Sequence, residues 1–332
     1  MKRTLPAVLG ALLAVALVPA PPAPGAAGPG GREATAWILP SAANRLVARN
    51  AADLTTLSVV GIGLHSDGAG VSPETKDMRR LGRAGHRHGL ATEVLVSNYS
   101  NRLGDFDPRA LHRLLSHPQR IRQVAARMAR IVRRGPWDGV NVDLERVRRT
   151  DAGGLVAFVT ALQRALPAER SVSIDVSASS TTRGYRRHGY RLAGLARHVD
   201  VVDLMAYDYS GPTWSGPGPI GPLPWQRASV RAVLPKVPAS KVQLGVAGYG
   251  YTWPTDRTGR TVSPRRAREL VRQDGADATF RRRAGEWTAT LSDGTVLWWS
   301  DARSYRLRVE LADRLGLRGT AIWRLGSADP LS

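Results

Sequence analysis

The chain has 332 residues, a formal net charge of +21 at pH 7 and no cysteine. The lack of cysteine excludes disulfides, a thiol nucleophile and a cysteine-ligated zinc site. The charge suggests an anionic partner, but almost all of the cations are arginine, which indicates a codon-biased genome rather than selection for phosphate contacts. We therefore expect no nucleic-acid partner, and a screened, largely non-specific attraction to an anionic cell envelope.

The amino-terminal segment has the composition of a secretory signal peptide. A basic start precedes an apolar run over residues 5–20, and small residues follow as far as Ala27. A retained membrane anchor is the alternative, although the apolar run is short for a membrane span. We therefore expect a secreted or cell-envelope-associated protein. Its expected parts are a signal peptide at 1–27, a linker at 28–33 and one domain at 34–330.

Segments with helix and strand character alternate along the rest of the chain. Helical spacing of apolar residues predicts helices at 41–50 with Ser41 as N-cap, 74–88, 107–115, 118–134, 155–166, 191–197, a stretch ending at 233, and 303–315. Strand-like runs lie between them at 34–39, 57–64, 92–99, 139–145, 171–178, 201–207, 242–249 and 319–325. Eight strands that alternate with helices predict an α/β fold, the (β/α)8 TIM barrel, whose active sites lie at the carboxyl ends of the strands.

One segment departs from this alternation. Residues 250–300 contain a helical pattern at 264–273 and the dipeptide Asp293-Gly294, which is a strong signal for a hairpin turn. We therefore expect a small α+β insertion between the seventh strand and the last helix. Three loop tryptophans suit either sugar stacking or an interface with the insertion. They are Trp214, Trp225 and Trp253.

Polar side chains occupy every second position of the strand at 139–145. Alternate residues of a strand share a face, so Asn141, Asp143 and Glu145 lie on one side and apolar residues on the other. A solvated edge strand is one alternative, but the apolar face is that of a central parallel strand. A magnesium or calcium site is another, but it needs more oxygen ligands than one strand aims at one point. Two close carboxyl groups instead push their titrations apart, which leaves one protonated near neutral pH.

The stretch from Asp138 to Glu145 resembles the Asp-Gly-x-Asp-x-Asp-x-Glu signature of glycoside hydrolase family 18. The resemblance implies that Glu145 acts as acid and then as base, and that Asp143 orients and stabilises the charged intermediate. Asn141 and Asp138 complete the implied catalytic group. Asn141 stands where many members have Asp, and here the chain is similar to the branch with bacterial spore-cortex-lytic and peptidoglycan N-acetylglucosaminidases. That departure affects the tuning of the carboxyl groups and not the identity of the acid.

The ends of the sixth, seventh and eighth strands resemble segments of the same family. The resemblance implies that Tyr207 hydrogen-bonds the acetamido group of the substrate, while Asp208 and Met205 line the reacting sugar. It also implies that Trp323 is the stacking floor, and it makes Tyr249 a substrate-binding candidate. Core packing is the alternative for each residue. The segments concerned are Met205-Ala206-Tyr207-Asp208, Ala247-Gly248-Tyr249-Gly250 and Ile322-Trp323-Arg324-Leu325.

Two further observations concern the interior of the predicted barrel. Asp175 and Asp203 occupy inward positions of their strands, where they fit either contacts to Asp143 or the sugar, or a structural polar network. The segment Ser97-Asn98 does not reproduce the motif that many family members carry on the third strand. No role follows from the resemblance at that segment.

By this resemblance the chain is a glycosidase that cleaves β-1,4-linked N-acetylglucosamine glycans, either peptidoglycan or chitin. The implied mechanism retains configuration, uses the acetamido oxygen of the substrate as nucleophile, and needs no metal and no cofactor. A catalytically inactive carbohydrate-binding protein on the same barrel is the alternative, because a fold does not establish activity. The presence of Glu145 favours the enzyme, since a lectin has no need to keep it. We further expect the protein to be a monomer.

Overall fold

The computed structural model describes residues 32–331, in which eight parallel strands form a closed barrel. Each strand pairs with its sequence neighbours, and the last strand pairs with the first to close the ring. The predicted (β/α)8 fold is therefore confirmed. The predicted signal peptide and most of the predicted linker lie outside the described residues. The barrel strands β1–β8 are Glu33–Ile38, Thr56–Gly63, Ala91–Ser97, Gly139–Asp143, Ser171–Ser177, Val201–Met205, Val242–Ala247 and Gly319–Trp323.

Helices surround the barrel, and the longest of them covers the predicted range 118–134. The first helix instead begins at Asn44, because Ser41 lies within a turn that the Ala42 N–H closes onto the Leu39 carbonyl at 3.0 Å. The predicted N-cap at Ser41 is therefore wrong. None of the helices in this part of the chain is long and apolar enough to cross a membrane. They are α1–α10, at Asn44–Asn50, Lys76–Arg87, Pro108–Leu115, Pro118–Arg134, Ala152–Ala165, Thr182–Arg187, Leu192–Ala196, Leu223–Val233, Pro264–Asp274 and Ala302–Arg314.

The main hydrophobic core lies between the barrel and its helices. The outward residues Val140, Val142 and Leu144 are almost completely buried in this core, together with the apolar faces of α4 and α5. Each such side chain stabilises the fold by about 1.5–3 kcal/mol relative to an exposed one. This burial fixes which face of β4 points outward, and it therefore directs the polar side chains of β4 into the barrel.

The predicted insertion is a separate antiparallel sheet with α9 beside it. The hairpin predicted at Asp293-Gly294 joins the two strands Glu286–Thr290 and Val296–Trp299, and Gly294 adopts a φ of 83° that favours glycine. The α+β insertion is thus confirmed. In the order of the sheet, the five strands are Thr261–Val262, Gly250–Trp253, Val296–Trp299, Glu286–Thr290 and Thr279–Arg281.

A buried ion pair joins the insertion to the barrel. The Arg308 side chain on α10 donates to Glu286 Oε1 at 3.0 Å, and both side chains are only 1% exposed. Glu286 also accepts the N–H groups of Ile220 and Gly221 at 2.7 and 2.9 Å. The guanidinium group donates further bonds to the carbonyls of Gly221, Ala284 and Ser304. The insertion, α10 and the loop after β6 are therefore held together at one point.

Candidate active site

The carboxyl end of β4 brings two acidic side chains to the mouth of the barrel. Asp143 is the last residue of the strand and lies opposite Ser97 in the register with β3. Glu145 follows two residues later on the same side of the chain. Asp143 is buried, whereas Glu145 is only partly buried. The strand alternation therefore presents one accessible carboxyl group beyond a buried one.

The surroundings of Glu145 favour its protonated form. Burial raises the pKa of the Glu145 carboxyl group well above its usual value, and the nearby carboxyl groups of Asp143 and Asp208 raise it further. The positive charge of Arg146 opposes this shift only in part. A carboxyl group that has a raised pKa and is reachable from solvent has the properties of a general acid.

Asp143 is the second member of this pair. Burial raises the pKa of Asp143 to about 6, and a hydrogen bond from Ser97 opposes the shift. Within residues 32–331 its Oδ1 atom is buried without a hydrogen-bond partner. A buried carboxylate oxygen without a partner is costly. This cost fits a group whose partner arrives with the substrate.

Asn141 lies deeper in the barrel and is fully buried. Its Oδ1 atom accepts from Trp37 Nε1 at 2.9 Å and from Ser58 Oγ at 3.0 Å. Its Nδ2 atom donates to Ser173 Oγ at 3.0 Å and to Asp175 Oδ1 at 2.8 Å. These four bonds use the full capacity of an amide. Asn141 therefore organises the barrel interior, and its side chain has no bond left for a substrate.

Asp138 is not brought together with the other signature residues. It precedes β4 at the amino end of the barrel, where its backbone bonds to the starts of β3 and β5. Its carboxylate accepts from His86 Nε2 at 2.7 Å, from Arg170 Nη1 at 2.6 Å and from the Thr92 N–H at 2.9 Å. The chain from Asp138 to Glu145 spans about 20 Å at the usual strand rise. The expectation that Asp138 belongs to the catalytic group is therefore corrected, because the length of β4 separates it from the site.

The end of β6 supplies a third carboxyl group near the acid. Asp208 is exposed to solvent and has a φ of 58°, an uncommon value for a residue other than glycine. Its Oδ1 atom accepts from the hydroxyl groups of Tyr249 at 2.5 Å and Tyr251 at 2.8 Å. Desolvation of the carboxyl group by the surrounding protein raises the pKa of Asp208, although the bonds from Tyr249 and Tyr251 oppose this shift. The structure thus places Asp208 and Tyr249 together, as two substrate-binding candidates in direct contact.

Tyr207 and Met205 lie beside this group. The Tyr207 ring meets the Tyr249 ring edge-on, with 6.4 Å between the centroids. Burial raises the pKa of Tyr207 well above its usual value, and the carboxyl groups of Asp175 and Asp208 add to the shift. The hydroxyl therefore keeps its proton and can donate a hydrogen bond. Met205 is the buried last residue of β6.

Trp323 ends β8 and remains partly exposed. Its ring packs against the Trp37 ring, with centroids 5.8 Å apart. Trp37 also donates a hydrogen bond to Asn141, so Trp37 connects Trp323 to the polar interior of the barrel. The stacking role of Trp323 stays a prediction.

The inward acids of β5 and β6 join the polar interior. Asp175 accepts from Asn141, and burial raises its pKa well above the usual value, with Asp143 and Asp203 as further causes. Asp203 accepts from the Gln243 amide at 3.0 Å in the amide orientation that satisfies both groups. Of the two expected possibilities, the contacts of both acids are those of a structural network. Among residues 32–331, no three His, Cys, Asp or Glu side chains are grouped so that they would hold a metal ion.

Sequence reasoning missed two residues that contact the site. Tyr251 reaches Asp208 from the strand Gly250–Trp253 of the insertion, and Ser97 lies opposite Asp143 in the register of β3 with β4. The repeat of Tyr249 at Tyr251 was an available signal, because residues two apart in a strand share a face. Of the three tryptophans expected in loops, Trp214 lies in a loop, is 53% exposed and contacts the Tyr251 ring edge-on. Trp253 instead ends a strand of the insertion and is buried, and Trp225 lies in α8. Trp225 packs against Tyr209.

The site consists of a glutamic acid with a raised pKa just beyond a barrel strand, a second carboxyl group beside it and aromatic side chains nearby. This combination on a (β/α)8 barrel has the architecture of a glycosidase. A family model agrees with this class. The model described as Glycosyl hydrolases family 18 matches residues 102–328, and the chain belongs to that family.

Relatives and solved structures agree with this assignment. The chain is 26% identical over 294 residues to the cortical fragment-lytic enzyme of Bacillus subtilis (strain 168), covering 83% of this chain and 66% of the relative. It is also 26% identical over 262 residues to a class V chitinase of Arabidopsis thaliana, covering 68% of each protein. The crystal structure of the Bacillus cereus spore cortex-lytic enzyme SleL has the same fold, with a TM-score of 0.80, 19% identity, and coverage of 90% of this chain and 72% of that one.

Proposed function

We propose that this family 18 glycosidase is a secreted enzyme that cleaves β-1,4-linked N-acetylglucosamine glycans, with retention of configuration and with the acetamido group of the substrate as nucleophile. The observation that carries the proposal is the pair formed by Glu145 and Asp143. Burial raises the pKa of Glu145 well above its usual value, and Asp143 lies beside it with one carboxyl oxygen that has no hydrogen-bond partner within residues 32–331. One acid and one supporting carboxyl group suffice when the substrate supplies the nucleophile.

The chemical steps follow from these positions. Glu145 gives its proton to the glycosidic oxygen as the bond to the anomeric carbon breaks, and the acetamido oxygen of the same sugar bonds to that carbon. Asp143 stabilises the positive charge of the resulting oxazolinium ring. A water molecule then attacks the anomeric carbon, which breaks the bond to the acetamido oxygen and restores the acetamido group. The water gives a proton to the Glu145 carboxylate, which restores the acid. Tyr207 would hold the acetamido group for attack, because its hydroxyl keeps its proton.

The substrate polymer is peptidoglycan or chitin. One relative is named for the lysis of cortical fragments and another as a chitinase, and their identity to this chain is the same. The net charge of +21 favours an anionic envelope over neutral chitin through long-range attraction. Secretion is supported by the basic start and apolar run of residues 1–27. Sequencing the amino terminus of protein recovered from culture medium tests it, and we expect a start soon after Ala27.

The central test compares two forms of one substrate. Purified mature protein is incubated with an N-acetylated chitooligosaccharide, with its fully deacetylated form and with peptidoglycan, and the reducing ends released are identified. Of the two oligosaccharides, we expect cleavage of the acetylated one only, with N-acetylglucosamine at the new reducing end. Equal cleavage of both forms would exclude substrate assistance and point to a carboxylate nucleophile, with Asp175 and Asp208 the first to examine.

A substitution of the acid tests the same assignment from the side of the protein. Glu145→Gln should keep the fold and sugar binding but lower hydrolysis by roughly 10²–10⁴-fold, since an amide cannot supply the proton. Glu310→Gln, on the exposed face of α10, is the matched control and should keep wild-type activity. Near wild-type turnover by the Glu145→Gln variant would show that the acid has been misassigned.

A further inference from the structure

Asn98 is a buried amide beside the backbone of Glu145. It is 1% exposed and immediately follows β3. Its Oδ1 atom accepts from the Glu145 N–H at 2.8 Å, and its Nδ2 atom donates to the Glu145 carbonyl at 3.1 Å. The backbone pairing of β3 with β4 ends at Ser97 and Asp143. The side chain of Asn98 therefore bonds the acid residue where the strand ladder no longer reaches it.

The same amide is fixed from its other side. Asn98 Nδ2 also donates to the Asp107 carbonyl at 3.2 Å, and the Asp107 N–H donates back to the Asn98 carbonyl at 2.8 Å. Asp107 in turn caps α3 by accepting the N–H groups of Arg109 and Ala110. The amide is thus held between a helix start and the acid, with its donors and its acceptor in use. This arrangement is rigid, because each bond restrains the same planar group.

The chain turns away directly after Glu145. Arg146 has a φ of 57°, a left-handed conformation that is uncommon for residues other than glycine. Without the two bonds from Asn98, the backbone of Glu145 would lie between the end of a strand and this turn with no restraint from β3. A side chain of similar volume cannot replace the amide, since a carboxylate lacks the donor and an aliphatic group lacks both functions.

We propose that Asn98 is a positioning residue, whose side-chain amide takes the place of a strand peptide and holds Glu145 in the orientation needed to protonate the glycosidic oxygen. The inference rests on the proposed function, in which Glu145 is the acid. A displacement of about 1 Å at a reacting group can cost about 100-fold in rate. Loss of the amide should therefore slow the step that needs the proton and leave sugar binding intact.

The test uses two substrates that differ in their need for an acid. In an N-acetylated chitooligosaccharide the leaving group is a sugar alkoxide, which needs protonation as it departs. In a nitrophenyl glycoside of N-acetylated chitobiose the leaving group is a weakly basic nitrophenolate, which needs little help from an acid. Asn98→Ala should lower kcat on the oligosaccharide by about 10–100-fold, with a much smaller loss on the nitrophenyl glycoside. KM should stay within about twofold for both substrates. Glu145→Gln should show the same dependence on the leaving group to a greater degree.

Asn50→Ala is the matched control. Asn50 is also a 1% exposed amide, and it donates to the Leu46 carbonyl within α1. Its loss should lower stability and leave both rates unchanged. Asn98→Asp covers the case in which Asn98→Ala does not fold, because Asp keeps the shape and the acceptor but lacks the donor. It should show the same selective loss on the oligosaccharide.

The outcomes separate the two proposals. One outcome overturns the positioning role and leaves the proposed function standing. In it, the wild type cleaves N-acetylated substrates and Glu145→Gln loses activity selectively on the oligosaccharide, but the Asn98 variants behave like Asn50→Ala or lose equal rate on both substrates. If the wild type cleaves no N-acetylated substrate, the proposed function fails and the positioning role fails with it.

Discussion

Inside the barrel, Asn141 Nδ2 donates a 2.8 Å hydrogen bond to Asp175 Oδ1. This bond joins β4 to β5 and gives a buried carboxyl group the donor that it needs. The amide at position 141 is therefore matched to the acid at position 175. The match suggests why a departure from the family signature is tolerated here, since the polar network has been built around an amide.

The first prediction follows from this pair. Asn141→Asp would place two carboxyl groups 2.8 Å apart, and both cannot ionise at that distance. Ser173 cannot easily supply a donor, because its hydroxyl is already bonded to Glu93 at 2.7 Å. The pair would share a proton, so the pKa of one acid would be raised in the folded state.

The sign of the pH dependence follows. An acid whose pKa is raised by folding supports stability at low pH, and that support is lost as pH rises through the folded pKa. The melting temperature of Asn141→Asp should therefore fall relative to wild type between pH 5 and pH 8. Melting curves across that range provide the measurement. A constant difference at all pH values would contradict the shared proton.

The second prediction concerns the charge of Asp143. Asp143→Asn should lower kcat by about 100- to 1000-fold with little change in KM, because the charge acts mainly on the positive transition state. The acid limb of the wild-type kcat profile should lie near pH 6, where Asp143 gains its proton, and it should be absent from the variant. A loss confined to KM would refute this role.

A variant of Ser97 provides the companion measurement. The Ser97 hydrogen bond holds the pKa of Asp143 below the value that burial alone would produce. Ser97→Ala should therefore move the acid limb to higher pH while keeping much of the maximal rate. An unchanged limb would mean that another group than Asp143 sets it.

The third prediction concerns the buried pair between Arg308 and Glu286. Arg308→Met leaves Glu286 buried without its cation, and such a loss costs about 3–5 kcal/mol of unfolding free energy. Urea denaturation measures this cost. Arg314→Met is the matched control, because Arg314 pairs with Glu310 on the exposed face of the same helix, and its loss should cost less than about 0.5 kcal/mol. Equal losses of unfolding free energy in the two variants would contradict a stabilising role of the buried ion pair between the insertion and the barrel.

The fourth prediction concerns Asp138. Although its partial burial acts in the opposite direction, bonds from His86, Thr92 and Arg170 lower the pKa of Asp138. An acid whose pKa is lowered by folding stabilises the protein at pH values above its unfolded pKa. This contribution is lost as the pH falls through the folded pKa. Asp138→Asn should therefore be less stable than wild type at pH 7, by about 1 kcal/mol. The difference should shrink toward pH 3, while kcat at pH 7 stays unchanged. A large loss of kcat in folded protein would return Asp138 to the catalytic group.

Much of the fold and part of the site could be predicted from local pattern. The alternation of strands and helices predicted the barrel, and the period of two along β4 predicted that Asn141, Asp143 and Glu145 share one side. That period equally carries Asp138 away from the site, since the signature is a whole strand long and its ends lie at opposite mouths of the barrel. Spacing in the sequence shows that the residues belong to one strand, but not that all of them reach one substrate.

By itself, the sequence predicted the fold class and the placement of Asp143 and Glu145 on one side of a strand, because these depend on short-range periodicity. The roles of acid and supporting carboxyl group came from the resemblance to the family signature. Only the tertiary structure decided the partners of these groups, which come from distant parts of the chain. Asn98 meets Glu145 across 47 residues, and Tyr251 meets Asp208 across 43. Barrel closure and the docking of the insertion create these contacts, and neither leaves a local pattern in the residues concerned. The raised pKa of Glu145 has the same origin, since its causes are burial and the charges of Asp143 and the distant Asp208.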